Sequence, residues 1–292
     1  GDVENKGWDL AVSLVPVQTK DWTWSLSFNT GKNYNKVLNA GNSAITWEDY
    51  VAGTLVSNGH AINSFYSYKF DKLDANGYPT FKDINEKDED GNATVHSQQE
   101  MYDRAFTLSG KREPDLNGGF STYLKYKNIT FNALFSFSFG SKIRLNDLYS
   151  ASGQNLPYPD QNMSSEFVNR WRNPGDENST NIPVLSDQSL SIRDKDITYR
   201  IADNGWDMYN KSDQRVVSGN FLRCRSMSIR YDLKPEWLKP IYLKGASISF
   251  DAGNVFVLKD KALKGRDPEQ IGLGSRSIPP QRSYSLRFNI IL

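Results

Sequence analysis

Apolar and polar residues alternate with a period of two in several separate stretches of the chain, as in strands that show one face to a nonpolar medium and the other to water. In NITFNALFSFSFG at 128–140, Ile129, Phe131, Ala133, Phe135, Phe137 and Phe139 share one parity. Thr130, Asn132, Ser136 and Ser138 share the other, and Leu134 is the exception. Trp8, Leu10, Val12 and Leu14 alternate with polar or small residues, and after the link PVQTKD so do Trp22, Trp24, Leu26 and Phe28, which predicts a hairpin. A second hairpin joins 119–127 to the 128–140 stretch, and a third joins 219–231 to 241–254 through DLKPEWLKP. The chain closes on 282–292, with Tyr284, Leu286, Phe288, Ile290 and Leu292 on one parity.

The links between these strands alternate in length. Those at 15–21, 127–128 and 232–240 are short, whereas about 35–117, 144–218 and 255–281 are long and rich in Asn, Asp, Gly and Pro. Short turns at one end and long loops at the other match an antiparallel transmembrane β-barrel, with turns in the periplasm and loops outside the cell. With INSFYSYKF at 62–70 assigned to a loop, the parity is consistent with seven spanning strands, the first descending and the C-terminus periplasmic. Single-chain bacterial barrels have an even count, so the remaining strands are expected upstream of Gly1. A strand of about 11 residues, at about 3.3 Å each and tilted by about 45°, covers roughly the 25 Å apolar band of such a barrel. A soluble β-sandwich would also alternate. It would have no reason to gather every long connection at one end, and structureless loops beyond about 15 residues are uncommon in compact domains.

Composition narrows the class further. Aromatic residues make up 13% of the 292, which favours β-structure over helix bundles. A mean hydropathy of −0.62 argues against a helical membrane bundle but not against a barrel. With 35 basic and 34 acidic residues spread along the chain, no broad basic field for nucleic acid exists. The single cysteine, Cys224, forms neither an internal disulfide nor a CxxC site, and His60 and His96 have no zinc-type ligand spacing around them. No cofactor is implied. The opening GDVENKGWDL has no signal-peptide pattern, so an export signal is expected upstream or already removed.

In its order of motifs the chain resembles the C-terminal part of a SusC/RagA-like TonB-dependent outer-membrane transporter of the Bacteroidetes type. The resemblance rests on ENKGWDL at 4–10, DWTWSLSFNTGKNYNKV at 21–37 and SFYSYKFDKLDANGYPTFKD at 64–83. It continues through REPDLNGGFSTYLKYKNITFNALFSFSFGSKI at 112–143, RWRNPGD at 170–176 and SGNFLRCRSMSIRYDL at 218–233. GNVFVLKDKALKGRDPEQ at 253–270 and PPQRSYSLRFNIIL at 279–292 complete it. The resemblance implies a plugged barrel of about 22 strands, a SusD-like surface lipoprotein as an extracellular lid, and import of oligosaccharides or peptides powered through TonB. The plug and the TonB-contacting segment would lie before Gly1. The final Leu292 departs from the terminal Phe usual for outer-membrane strands, though its parity is still apolar-outward.

Candidate contacts to cargo or partner lie in the predicted outer loops. Trp47, Tyr66, Tyr158, Trp171 and Trp206 could offer ring faces to the C–H faces of a sugar, and equally could anchor the loops. Just before RWRNPGDENST at 170–180, Ser164 or Ser165 is placed to cap a short helix running to Trp171, with Arg170 and Trp171 shaping the mouth or the lid contact. A self-packed loop with Trp171 as its small core accounts for the same motif. DINEKDEDGN at 83–92 has a Ca²⁺-like richness in oxygen, but Ser97 stands where an EF-hand needs its bidentate Glu, and a solvated acidic loop fits as well. No spaced carboxylate pair, nucleophile motif or phosphate loop points to catalysis. The lumen wall is expected to carry Asn132, Ser136, Ser138, Ser247, Ser249 and Asp251. Arg223 and Arg225 share the parity of Met227, Ile229 and Tyr231, so either they rise above the apolar band to lipopolysaccharide phosphates or a β-bulge resets the strand. The sequence thus reads as an outer-membrane transporter segment importing a glycan. Peptide or siderophore cargo on the same scaffold, or a secreted β-sandwich binding or adhesin module, are the alternatives.

Overall fold

The computed structural model describes residues 1–41, 45–84, 89–90, 94, 97–149, 162–185, 204–270 and 278–292. Seven strands form one antiparallel sheet: β1 (Asp2–Gln18), β2 (Trp22–Asn39), and, after the shorter strands β3 to β6 of the first long connection, β7 (Leu116–Tyr126) and β8 (Ile129–Phe139). Beyond two short strands, β9 (Lys142–Arg144) and β10 (Val216–Ser218), the sheet takes up β11 (Phe221–Asp232), β12 (Gly245–Lys259) and β13 (Ser283–Ile291). The order β1-β2-β7-β8-β11-β12-β13 follows the sequence, so each spanning strand lies beside its predecessor in an up-and-down meander. The seven expected strands are therefore all present, and 62–70 lies outside this sheet, as anticipated.

The register explains the two faces. Across the sheet, Trp24 pairs with Leu124, Leu124 with Phe131, Phe131 with Ile229, Ile229 with Phe250 and Phe250 with Leu286. One row nearer the short links runs Trp22, Tyr126, Ile129, Tyr231, Ile248 and Phe288. These rows are apolar, yet Ile229, Phe250, Leu286 and Phe288 remain 44–64% exposed, as does Trp8 of β1 at 48%. A sandwich core would bury this face; a lipid-facing wall leaves it open. The opposite face carries Ser27, Ser121, Thr130, Asn132, Ser228, Ser249 and Asp251, and Ser13 Oγ lies 3.3 Å from Ser27 Oγ. Leu134 falls on this polar face opposite Ser121 and Ser226, and is 46% exposed.

A bulge settles the two arginines. Between Cys224 and Ser226 the register of β11 shifts against both neighbours: Arg225 is the extra residue against β8, whereas against β12 the extra residue lies on β12, where Asn254 and Val255 oppose Arg225 alone. On one side of the bulge Met227 pairs with Ala133; on the other, Cys224 pairs with Phe135 and Arg223 with Ser136. The bulge thus moves Arg223 from the apolar parity to the polar face, and the lipopolysaccharide alternative is not needed. The third hairpin differs from expectation as well. Its link runs over 233–244, because Pro235–Leu238 forms a helical turn, a 3-10 turn follows at Lys239–Ile241, and Tyr242 takes φ 57°, so β12 starts only at Gly245.

Two compact units divide the chain. One comprises Glu4–Asn35, Glu113–Ser141 and Ser218–Leu292 and holds most of the sheet; the other comprises Gly1–Val3, Lys36–Arg112 and Lys142–Val217. The second unit shows that the first two long connections fold together. It contains β3 (Ser64–Tyr68) paired with β6 (Phe106–Lys111), the hairpin of β4 (Phe70–Leu73) and β5 (Pro79–Phe81), and helices α1 (Trp47–Ala52), α2 (Gln98–Ala105) and α3 (Gly205–Asn210). Side chains cap the last two helices: Ser97 accepts from the Glu100 amide at 3.1 Å, and Asn204 from that of Asp207 at 3.0 Å. Tyr50, Tyr66, Tyr68, Met101, Tyr102, Phe106 and Met208 build one apolar core; Phe70, Leu73, Tyr149, Phe167, Trp171, Trp206 and Tyr209 build another.

The two-faced sheet makes a direct prediction for the full-length protein in bilayers. Phe250→Arg, on the apolar face, should cost about 2–4 kcal/mol of unfolding free energy if it lies near the bilayer midplane. Ser285→Arg, opposite Asp251 on the polar face, should cost under about 1 kcal/mol. Denaturant titration in vesicles measures both, and equal costs would contradict the assignment of faces.

Candidate functional site

The polar face of the sheet forms a hollow of about 730 Å³ along β7, β8, β11, β12 and β13. Alternation places its lining: Lys125 pairs with Thr130, Thr130 with Arg230, Arg230 with Ser249 and Ser249 with Arg287, while Asn132 and Asp251 lie two residues along β8 and β12 from Thr130 and Ser249. Both charge signs are present, partly paired within the wall. Arg230 Nη2 lies 2.7 Å from Asp232 Oδ1, while Arg287 Nη2 stands 3.9 Å from Asp251 Oδ2, a looser contact. Lys125 has no ion-pair partner among the described residues. Such a surface offers hydroxyl, amide, carboxylate and guanidinium groups to a polar solute and repels no particular charge. Of the expected wall residues, Asn132, Ser247, Ser249 and Asp251 line the hollow. Lys125, Arg230, Asp232 and Arg287 were missed, although their parity against the expected residues carried the signal.

Further along the same face, the bulge brings four charges together. Arg223 Nη2 donates to both carboxylate oxygens of Asp267 at 2.6 Å, and its Nε lies 2.7 Å from Glu269 Oε2. Arg225 Nε donates to Ser136 Oγ at 2.8 Å, and its Nη2 reaches Glu269 Oε1 at 2.5 Å. The Arg223 and Asp267 side chains are only 4% and 3% exposed. The segment after β12 is therefore tethered to the polar face: Asp260 caps the turn at Lys261–Leu263, the Lys259 ammonium donates to the Arg266 carbonyl, and Asp267 accepts from the Glu269 amide.

The aromatic candidates lie elsewhere, in the loop unit, and most are core residues. Trp206 is fully buried, with its indole donating to the Val184 carbonyl at 3.2 Å, and stands edge-on to Tyr149 and Tyr209. Trp171 is 8% exposed in the same core. Tyr66 is 9% exposed in the other core, edge-on to Tyr50, against which Trp47 packs half-buried. Buried rings cannot offer a face to a sugar. The stacking expectation therefore fails for Tyr66, Trp171 and Trp206, whose rings hold the unit together. Arg170 is half-buried and donates to the Phe167 carbonyl at 3.0 Å. Tyr158 lies outside the described residues, as does most of the acidic 83–92 stretch. Among the described residues, no group of three or more His, Cys, Asp or Glu is placed to hold a metal.

The turn around Trp171 shows how the loops are fixed. Ser164 caps a 3-10 helix at Ser165–Asn169, accepting from the Glu166 amide, and that helix ends before Trp171 instead of running through it. Glu166 reaches back to Arg215 at 2.7 Å in a nearly dry ion pair. Trp171 lies over Gly77, where an added Cβ would fall 2.4 Å from the ring and φ is +78°, so both space and backbone require glycine there. Trp171 Nε1 donates to Glu177 at 3.0 Å, holding that carboxyl below its ordinary range with help from the backbone amides. Asp176 is likewise held down, by the Asn173 and Arg172 amides.

Known proteins similar to the chain point the same way. No family model matches the chain. The TonB-dependent receptor P3 of Formosa agariphila is 26% identical over 99% of this chain and 29% of its own length. The TonB-dependent receptor SusC of Bacteroides thetaiotaomicron is 25% identical over 99% of this chain and 26% of its own. Among solved structures, the RagAB peptide transporter matches with a TM-score of 0.67 at 22% identity, covering 98% of this chain and 29% of that one. The RagAB peptide importer in its open-open state matches at 0.65 and 19%. The chain thus spans under a third of the length of these relatives. An open meander with an apolar outer face and a polar inner one is a stretch of transmembrane β-barrel wall. Over nearly every residue the chain is similar to TonB-dependent receptors of the SusC type and, in fold, to RagA-like transporters.

Two variants test the cluster and the turn. Asp267→Ala leaves the buried Arg223 with only the partly exposed Glu269, and should cost about 3 kcal/mol, whereas Glu269→Ala should cost under about 1 kcal/mol. Denaturant titration that ranks the two the other way would refute the tether. For the turn, the depressed carboxyls contribute stability above the ordinary carboxylate range, and that contribution is lost as pH falls through their lowered folded values. The Trp171 signal, taken as the fluorescence difference from a Trp171→Phe variant, should shift on acidification below about pH 4. Glu177→Gln keeps an acceptor for the indole and should flatten that shift; an unchanged titration would sink the assignment.

Proposed function

We propose that this chain forms part of the barrel wall of an outer-membrane transporter that imports a hydrophilic oligomer by TonB-dependent uptake. The observation that carries the proposal is the single sheet with an exposed apolar face and, behind it, a charged and hydroxylated hollow of about 730 Å³. The free edges of β1 and β13 are where further strands would close the barrel. The long connections face outward beneath a SusD-like lipoprotein lid, and the short links lie in the periplasm. The role is transport, not catalysis, in keeping with relatives named as receptors.

An oligosaccharide is the first reading of the cargo, supported by the similarity to SusC and by a wall able to bond sugar hydroxyls. A peptide is the second, favoured by the likeness to RagAB and by the wall's mixture of charges, which would suit a zwitterionic chain. Trp47 and Arg170, the two candidates with partial exposure among the described residues, are the proposed loop contacts to cargo or lid. Purification of the full-length protein from outer membranes in detergent should yield a SusD-like lipoprotein and a bound oligosaccharide by mass spectrometry. Bound peptide would replace the first reading with the second, and a lone protein found only in soluble fractions would overturn the transporter.

A further inference from the structure

The link between β11 and β12 is longer than a hairpin needs, and its exposed side chains are unusual in kind. Trp237 is 56%, Ile241 59% and Tyr242 92% exposed, while Leu238 between them is buried and holds the turn to the sheet end. Three lysines, Lys234, Lys239 and Lys244, are exposed beside them against a single carboxylate within the link, Glu236. Backbone bonds fix the position: the Leu233 amide donates to the Ala246 carbonyl and the Lys244 amide to that of Ile291, both at 2.9 Å. Polar loops ordinarily cover a sheet end that faces only water.

The same end of the sheet carries an aromatic row. Trp22 stacks on Tyr126 with ring centroids 4.2 Å apart, and Trp237 lies 6.4 Å from Tyr231, which belongs to the apolar face. A lysine accompanies each pair, with Lys127 5.3 Å from the Tyr126 ring and Lys234 5.8 Å from that of Trp237. Trp237 therefore continues the apolar face past the last ladder bond.

We infer that the 233–244 link is an interfacial anchor that seats its Trp237, Ile241 and Tyr242 side chains in the phospholipid headgroup layer of the periplasmic leaflet, with Lys234, Lys239 and Lys244 engaging lipid phosphates. The occupant follows from continuity with the lipid-facing sheet and from charge. Indole and phenol rings favour the depth where an apolar body and a polar edge are both satisfied, and exposed lysines there are drawn to anionic headgroups. The inference rests on the barrel reading above.

The test uses the full-length protein in vesicles of phosphatidylethanolamine and phosphatidylglycerol, with nitroxide labels on Tyr242→Cys and Trp237→Cys. Phe250→Cys serves as the lipid-facing strand control and Ser249→Cys as the polar-face control. Power saturation against oxygen and a water-soluble nickel chelate should give oxygen-dominated access at 242, 237 and 250, and nickel-dominated access at 249. Nickel-dominated access at 242 and 237 with position 250 still in lipid would overturn the anchor while leaving the barrel intact, freeing the turn for a periplasmic protein. Nickel-dominated access at 250 would instead remove the barrel reading and the anchor with it. Replacing each lysine by Gln should weaken phosphatidylglycerol retention in detergent roughly fivefold, and unchanged retention would refute the lysines' part.

Discussion

The alternation of side chains across a fully paired backbone ladder is the constraint on which the rest of the structure depends. In hydrocarbon an unpaired amide or carbonyl costs several kcal/mol, so a spanning strand must have neighbours along its length. Once the ladder is complete, the period of two forces every strand to divide its residues between two media. Here the division holds across six paired strands in continuous rows, from Trp24 through Phe131 and Ile229 to Leu286. The polar rows behind them are a consequence of the same register. The hollow lined by Asn132, Arg230 and Asp251 needs no separate design.

Where the constraint is relaxed, the chain does something local. The extra residue at Arg225 shifts parity by one, and what it gains is two guanidinium groups aimed at the polar face. Those groups then hold Asp267 and Glu269 of the following segment. Without the shift Arg223 would face lipid, where a central arginine costs a barrel about 2–4 kcal/mol. With it, the same charge is buried against Asp267, with Nη2 donating to both carboxylate oxygens. Bulge and ion pair therefore depend on each other.

The sheet was legible in the sequence because its rule is local: the residue two positions away predicts the face. Even the arginine anomaly was visible as two charges on an apolar parity, though parity alone did not choose between a bulge and a headgroup contact. The 241–244 segment was misread for the same local reason, since Tyr242 falls on the apolar parity of Ala246, Ile248 and Phe250, yet its positive φ keeps it out of the strand, which starts only at Gly245. The loop unit was not legible, because its rule is not local. Trp206 packs with Tyr149 and Phe167, and Trp171 lies over Gly77, contacts that no periodicity records. Aromatics in polar loops accordingly read from sequence as ligand platforms or loop anchors alike.

The anchoring role bears on how such loops work. A surface loop that must present chemistry to a large polar ligand needs its backbone fixed, and fixing it takes buried area that water-facing residues cannot supply. The second unit obtains that area by pooling two connections distant in sequence, so that Phe70 and Leu73 from one share a core with Phe167, Trp171 and Trp206 from the other. The buried Glu166–Arg215 pair and the Gly77 seat for Trp171 then give that core a single arrangement. The large rings serve rigidity, and under the proposed function contact with cargo or lid would fall to partly exposed groups such as Arg170 and Trp47 and to the charged wall. Cargo selectivity on this scaffold should therefore follow the polar residues that the aromatic cores hold in place, and not the aromatics themselves.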